Sequence, residues 1–418
     1  MYSNPKKIWL YLFFVSLKTS SSLSSLPTSY PAYNPTYFTW LGRIVPSSTG
    51  GVTFDLEGTT LEFSVKNATF IGLSITDATF GGAKLGVYLD STSGYSNDST
   101  SGYSNSYTNS DPDPAGKAIP GLRVSTLLTS PFQTLYTLGS GGQILSLNST
   151  SNTLTVKVVN MAEYSMIGSR SGGFNITINT IITDGTLVQT SSSNRTRFLI
   201  LGDSLSSGVG AGFSVPQGQL CGAGVAIDDW SQTWNALLCQ NFSANCEVIA
   251  QSGVTIVADT NYNLPMSIPY ALGAMGYSNW PENERIQWKP LPIDACFIEL
   301  GENDAHAFNV TSPTGLAKLS NAYIQLVKSL SNIYGKIIPY FFTISNHEAG
   351  QSLAMLEAIS QLNSEGFPKA MLLNGTTPTL DPICHTYIND GCAGHPSFAQ
   401  NILAFERMQP IVEAALRN

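Results

Sequence analysis

The chain contains 418 residues, of which 42% are hydrophobic and only 11% charged. That length suits two ordinary domains, and that balance excludes a disordered chain in favour of packed cores beneath a Ser/Thr/Asn/Gly-rich surface. The formal net charge is −8 at pH 7, with no Lys/Arg cluster beyond the first residues, so the basic stripe that nucleic acid requires is missing and no nucleic-acid partner is expected.

Lys6 and Lys7 precede an apolar run from Ile8 to Leu17, and small polar residues follow. This is the layout of a secretory signal peptide over residues 1–20, in a run too short to span a bilayer comfortably. A secreted, extracellular protein without stable membrane insertion is expected. Eight N-x-[ST] sequons agree with export, at Asn67, Asn97, Asn148, Asn175, Asn194, Asn241, Asn309 and Asn374. The six cysteines agree as well: Cys239 with Cys246 and Cys384 with Cys392 are close enough to close short loops in an oxidising compartment. Cys296 lies in a strand-like run and reads as reduced, while the pairing of Cys221 stays open.

Residues 30–190 consist of short alternating segments such as "VTFDLEGTTLEFSV", "GAKLGVYLD" and "NTLTVKVVNM", broken by Gly, Asn and Ser turns. Alternation without a long helical period predicts an all-β sandwich or jelly roll. A low-complexity insert over residues 90–112 carries the octapeptide "DSTSGYSN" twice and reads as a mobile loop between two strands.

After "TSSSNRTR" the pattern changes, and residues 195–418 read as an α/β unit. Apolar runs at Phe198 to Leu201, Val248 to Ala250, Ala295 to Leu300, Ile337 to Thr343 and Ala370 to Leu373 alternate with helical text. Between two of them Leu316, Leu319, Tyr323, Leu326, Val327 and Leu330 recur at helical spacing, after Ser312-Pro313 and before Gly335. Repeated strand, helix and strand predict a parallel sheet covered on both faces, in which ligands bind at the carboxyl ends of the strands.

Ser204, in "FLILGDSLSS", falls just past the carboxyl end of the first of those strands. A serine hydroxyl needs a base to act as a nucleophile at neutral pH. Of the four histidines, His395 in "DGCAGHPSFAQ" lies in a Gly-rich loop before the last amphipathic segment, where it can return over the sheet edge; His306 is second choice, and His347 and His385 read as loop residues. Pro396 is expected to lead into the helix. Two more strand ends offer oxyanion donors: Gly253 in "VIAQSGVTI" through its backbone N–H, and Asn303 in "CFIELGENDAH" through its side-chain amide.

The order Ser204, Gly253, Asn303, His395, within "GDSL", "QSG", "GEND" and "GHP", resembles the SGNH hydrolases, also called GDSL esterases, over residues 197–418. With "WLGR" near the start of the β-rich half, and "VIAQSG" and "GCAGHPS", the chain is more narrowly similar to the second family of carbohydrate esterases, acetyl xylan esterases that join a β-sandwich to an SGNH domain. The resemblance implies a three-layer α/β/α domain and removal of O-acetyl groups from plant polysaccharides. It implies Ser204 as nucleophile, His395 as base and then acid, and an oxyanion hole made by the backbone N–H groups of Ser204 and Gly253 and the Asn303 side chain. It implies no metal or organic cofactor, and a monomer acting on an acetylated polysaccharide or oligosaccharide.

The sequence departs from the family beside the histidine: the aspartate that many SGNH enzymes place three residues before it is Cys392 here, and the Asp-Trp that often directly precedes it in the narrower family is Ala393-Gly394. A Ser-His dyad is expected, with Asp390 as the candidate third member and a backbone carbonyl as its alternative. The segment between Gly253 and Asp294 carries Tyr262, Tyr270, Tyr277, Trp280 and Trp288 and reads either as a wall or lid over the pocket or as simple packing against the sheet. Trp230 and Trp234 are assigned to the first helix of the unit. Two other functions stay open: a secreted esterase or lipase for other acyl esters, and a carbohydrate-binding protein whose site has decayed.

Overall fold

The computed structural model describes residues 26–77, 83–91, 133–137, 141–147, 153–161, 176–189, 195–212, 228–257, 290–345, 350–367, 369–375 and 395–417. The leader, Cys221, Cys384, Cys392, His347, His385, Asp390 and the aromatic segment from Tyr262 to Trp288 lie outside the described residues.

The alternating segments form strands β1 (Thr28–Pro31), β2 (Thr39–Leu41), β3 (Val45–Pro46), β4 (Val52–Phe54), β5 (Thr60–Lys66), β6 (Phe70–Asp77), β7 (Ala83–Ser91), β8 (Gln133–Thr137), β9 (Gly141–Ser146), β10 (Thr153–Asn160), β11 (Ile176–Thr183) and β12 (Thr186–Val188). They pair into two six-stranded antiparallel sheets. One has the order β3-β4-β11-β6-β9 with β1 on β11; the other has β12-β5-β10-β7-β8 with β2 on β5. Alternation explains the packing: Phe63 and Val65 from one sheet and Ile71, Leu73 and Ile178 from the other enter a single apolar cluster. Strand β7 runs to Ser91, so it takes in the first two residues of the repeat read as loop; the rest of the insert lies outside the described residues.

The remaining strands form a five-stranded parallel sheet of order β14-β13-β15-β16-β17: β13 (Arg197–Gly202), β14 (Asn245–Ala250), β15 (Ala295–Glu299), β16 (Tyr340–Ile344) and β17 (Ala370–Asn374). The helices are α1 (Ser204–Ser207), α2 (Trp234–Asn241), α3 (Glu302–Ala307), α4 (Pro313–Tyr334), α5 (Gln351–Ser364) and α6 (Phe398–Arg417). One sheet face packs Leu201, Ile298 and Phe342 against Leu319 and Tyr323 of α4 and Met355 of α5. The other packs Phe198, Phe297 and Phe341 against Trp234 of α2 and Phe405 and Met408 of α6. Helices thus cover both faces, which is why these strands read as nearly continuous apolar runs. Helix α4 has Ser312 as its N-cap, with Pro313 in the first turn and Gly335 at its end, as its sequence predicts. No helix among the described residues is long and apolar enough to cross a membrane.

The antiparallel sheets are fastened to the parallel one by buried charge. Arg43 Nε donates to Glu247 Oε1 on β14 at 2.7 Å, and Lys84 Nζ reaches Asp229 Oδ2 at 3.3 Å and the Asp228 carbonyl at 2.6 Å. A backbone bond adds to this, from Trp230 N–H to the Met161 carbonyl. Arg43 is the arginine of "WLGR", and it is among the largest fully buried side chains. A disulfide joins Cys239 at the end of α2 to Cys246 in β14, and Cys296 is a free, buried thiol.

Candidate active site

Strand β13 lies inside the sheet, with β14 on one side and β15 on the other. The chain therefore leaves β13 in one direction and returns past it in the other, and the crevice at such a reversal is where open α/β sheets bind ligands. Ser204, Gly253 and Asn303 follow the carboxyl ends of these three neighbouring strands.

Ser204 is the first residue of α1, and Asp203 caps that helix by accepting from Leu205 N–H at 3.1 Å. Ser204 is buried, 8% exposed. Gly253 adopts φ +75, a left-handed conformation that favours glycine, in the turn after β14. Asn303 stands in the first turn of α3, after Gly301 ends the β15 connection with φ +110. Its side-chain amide joins the three loops: Nδ2 donates to the Val254 carbonyl at 3.1 Å and to Asp203 Oδ2 at 3.4 Å. The serine turn and the glycine turn are thereby each one residue from a bond to Asn303.

Asp304 fixes the glycine turn further. Its carboxylate accepts from Val257 N–H at 2.9 Å and Ile256 N–H at 3.0 Å. Burial pushes its carboxyl up to about 6, against the lowering effect of those backbone bonds. Asp203 is held well above the usual carboxylate range, first by burial and then by the nearby charges of Glu302, Glu299 and Asp304. Neither the Asp304 contact nor this crowding of acids has a signature in a linear motif beyond the bare "GEND".

His395 is half-buried and stands three residues before α6. Ser397 caps that helix: Ser397 Oγ accepts from Gln400 N–H at 3.4 Å while Gln400 Oε1 accepts from Ser397 N–H at 3.2 Å, a reciprocal capping box. Pro396 stands just before that cap and leads into the helix, as expected. Asn401 anchors the same segment. Its Nδ2 donates to the Ser397 carbonyl at 3.0 Å and the Pro396 carbonyl at 3.4 Å, and its Oδ1 accepts from Trp234 N–H at 3.0 Å. The next residue of α2, Asn235, donates to the Ser206 carbonyl at 3.0 Å. A continuous series of bonds thus runs from the segment after His395, through the head of α2, to the helix that Ser204 begins. Trp234 belongs to α2, as expected, but Trp230 lies before it in a separate 3-10 turn. His306, the second-choice histidine, occupies the last turn of α3.

No protein-family model matches this chain, and none of the curated proteins matches it. Solved structures do. A family two carbohydrate esterase from Cellvibrio japonicus is 14% identical with a TM-score of 0.67, covering 94% of this chain and 98% of its own. An acetyl xylan esterase from the rumen bacterium Butyrivibrio proteoclasticus is 12% identical with a TM-score of 0.71, covering 94% and 98%. A family two carbohydrate esterase from Clostridium thermocellum, solved in complex with cellohexaose, is 16% identical with a TM-score of 0.67, covering 91% and 99%. The structural neighbours of this chain include family 2 carbohydrate esterases and an acyltransferase, and it shares the fold of the three esterases above over more than nine-tenths of its length.

Proposed function

We propose that this chain is a secreted serine esterase that removes O-acetyl groups from a polysaccharide of the xylan or glucomannan type. The observation that carries the reading is the Asn303 amide, bonded at once to the residue before Ser204 and to the residue after Gly253. It brings a hydroxyl, a glycine N–H and an amide donor to one sheet edge. Likeness in fold to acetyl xylan and other carbohydrate esterases supports the substrate class.

In this reading Ser204 Oγ attacks the acetyl carbonyl while His395 takes its proton. The tetrahedral oxyanion is met by the N–H groups of Ser204 and Gly253 and by Asn303 Nδ2, whose longer bond to Asp203 is the one an oxyanion can replace. As the bond between the acetyl carbon and the sugar oxygen breaks, His395 gives the proton to that oxygen, releasing the sugar hydroxyl and leaving an acetyl-enzyme that water hydrolyses. Asp390 stays the candidate partner of His395, with a backbone carbonyl as its alternative. The two antiparallel sheets are read as a jelly-roll unit over residues 30–190 and the parallel sheet with its helices as an SGNH hydrolase unit over residues 195–418. The leader sequence and the exposed sequon residues Asn67, Asn309 and Asn374 support export.

The test is acetate release from acetylated xylan and glucomannan beside hydrolysis of short and long aryl esters, for wild type and Ser204→Ala. Acetate release lost in the variant is expected. Activity confined to long-chain esters would replace the polysaccharide with another acyl ester, and inactivity on all of them would favour a binding protein.

A further inference from the structure

Glu299 is the last residue of β15, a strand buried at every position, and is itself only 1% exposed. A carboxyl group placed there loses its hydration, and an apolar residue of similar size would serve the core at least as well. Its contacts give the reason for an acid. Oε2 accepts from the Ser206 hydroxyl at 2.5 Å and from the Trp234 indole N–H at 2.8 Å. We propose that Glu299 is a positioning residue for the nucleophile, its Oε2 gathering the Ser206 hydroxyl and the Trp234 indole to fix helix α1, and with it Ser204, against the end of β15. This deepens the esterase reading and rests on it.

Ser206 can reach Glu299 because β13 ends in glycine. A Cβ at Gly202 would lie 2.2 Å from both Cβ and Oγ of Ser206. Ser206 is then held twice, at its hydroxyl by Glu299 and at its carbonyl by Asn235. A four-residue helix has too few internal bonds to hold its own orientation, so such outside anchors decide where its first residue points. Trp234 is also the residue whose N–H is bonded to Asn401, beside the segment that carries His395. Glu299 therefore ties together the supports of both proposed reacting groups.

The two oxygens of Glu299 differ. Oε2 has two donors, whereas Oε1 has no hydrogen-bond partner among the described residues within ordinary bond length, with Ser345 beside the carboxyl. Burial pushes the carboxyl up from its ordinary range, against the lowering effect of hydrogen bonds from Ser206, Ser345 and Trp234, and the two bonds to Oε2 ask only for an acceptor. An amide oxygen can supply one, so glutamine is the conservative replacement and alanine the disruptive one.

The experiment measures kcat and KM on an aryl acetate for the full chain, normalised to folded protein, in wild type, Glu299→Gln and Glu299→Ala, with Ser204→Ala as the reference. A displaced nucleophile loses turnover rather than binding, so Glu299→Ala is expected to lower kcat by about 10- to 100-fold with KM within about twofold, and Glu299→Gln to stay within about threefold of wild type. Should Glu299→Ala not fold, the double variant Ser206→Ala with Trp234→Phe removes the same two bonds and is expected to lower kcat by a similar factor. Unchanged kcat in the disruptive variants, or a loss in Glu299→Gln equal to that in Glu299→Ala, would overturn the proposal. Ser204→Ala retaining full activity would instead overturn the esterase assignment on which it rests.

Discussion

Toward the amino end of the parallel sheet, Arg43 meets Glu247 at 2.7 Å with both side chains shielded from water; at the carboxyl end, Asp203, Glu299 and Asp304 are buried and hydrogen-bonded by neutral groups. The first arrangement satisfies a buried acid with an opposite charge, and its job is to fasten one set of sheets to another. The second uses backbone amides, an indole, a hydroxyl and a carboxamide, and leaves the acids with raised proton affinity. An arrangement so costly to the fold marks the end of the sheet where geometry is under another demand.

That contrast predicts stability effects at one end and turnover effects at the other. The largest stability effect belongs to Arg43→Ala, which removes the buried guanidinium bonded to Glu247 and should cost about 3–5 kcal/mol. Urea unfolding would show it as a lower midpoint, with kcat per folded molecule unchanged; a loss of turnover without a loss of stability would break the comparison. At the other end, Asn303→Ala removes the proposed oxyanion donor and should lower kcat by about 100- to 1,000-fold. Steady-state kinetics on an aryl acetate, beside a thermal melt close to that of wild type, is the check.

A smaller effect is expected from the disulfide. Replacing Cys239 and Cys246 with alanine opens a loop of sequence separation 7 and should cost about 2–3 kcal/mol through the unfolded chain, with activity retained at 25 °C.

Asp304 gives the smallest effect, and its sign is fixed. Because burial pushes its carboxyl up to about 6, the protonated form is favoured in the folded state. Its contribution to stability is therefore complete below the unfolded value of about 4 and fades as pH rises through about 6. Asp304→Asn cannot ionise, so its stability relative to wild type should improve by about 1–3 kcal/mol between pH 4 and pH 7. Denaturant melts at the two pH values measure this directly, and a relative stability that worsens over that range would show that the backbone bonds from Ile256 and Val257 outweigh burial.

How far the sequence led differs between these features for a physical reason. The five parallel strands were legible because a strand covered on both faces has to be apolar throughout, and α4 was legible because its apolar stripe, Ser312 cap and terminal Gly335 all agree. Ser204, Gly253 and Asn303 could be placed at one edge because each follows a strand of that sheet. Strand order was not legible, since hydrogen bonding between strands leaves no local mark on the residues between them. Helices α1 and α3 span four and six residues, too few to show a period. Arg43 and Glu247 are 204 residues apart, and nothing local pairs them. Glu299 did leave a trace, an acid inside the apolar run "CFIEL", and that break in pattern was the available signal of its role.

Ser204, activated by His395, is the proposed nucleophile at the carboxyl end of the parallel sheet. Reaction of the full chain with a fluorophosphonate, followed by peptide mass analysis, tests it most directly. A single phosphonyl adduct on Ser204 is predicted, absent in Ser204→Ala and formed about a thousandfold more slowly or worse in His395→Ala. An adduct on a different residue, or labelling that persists in Ser204→Ala, would contradict the account.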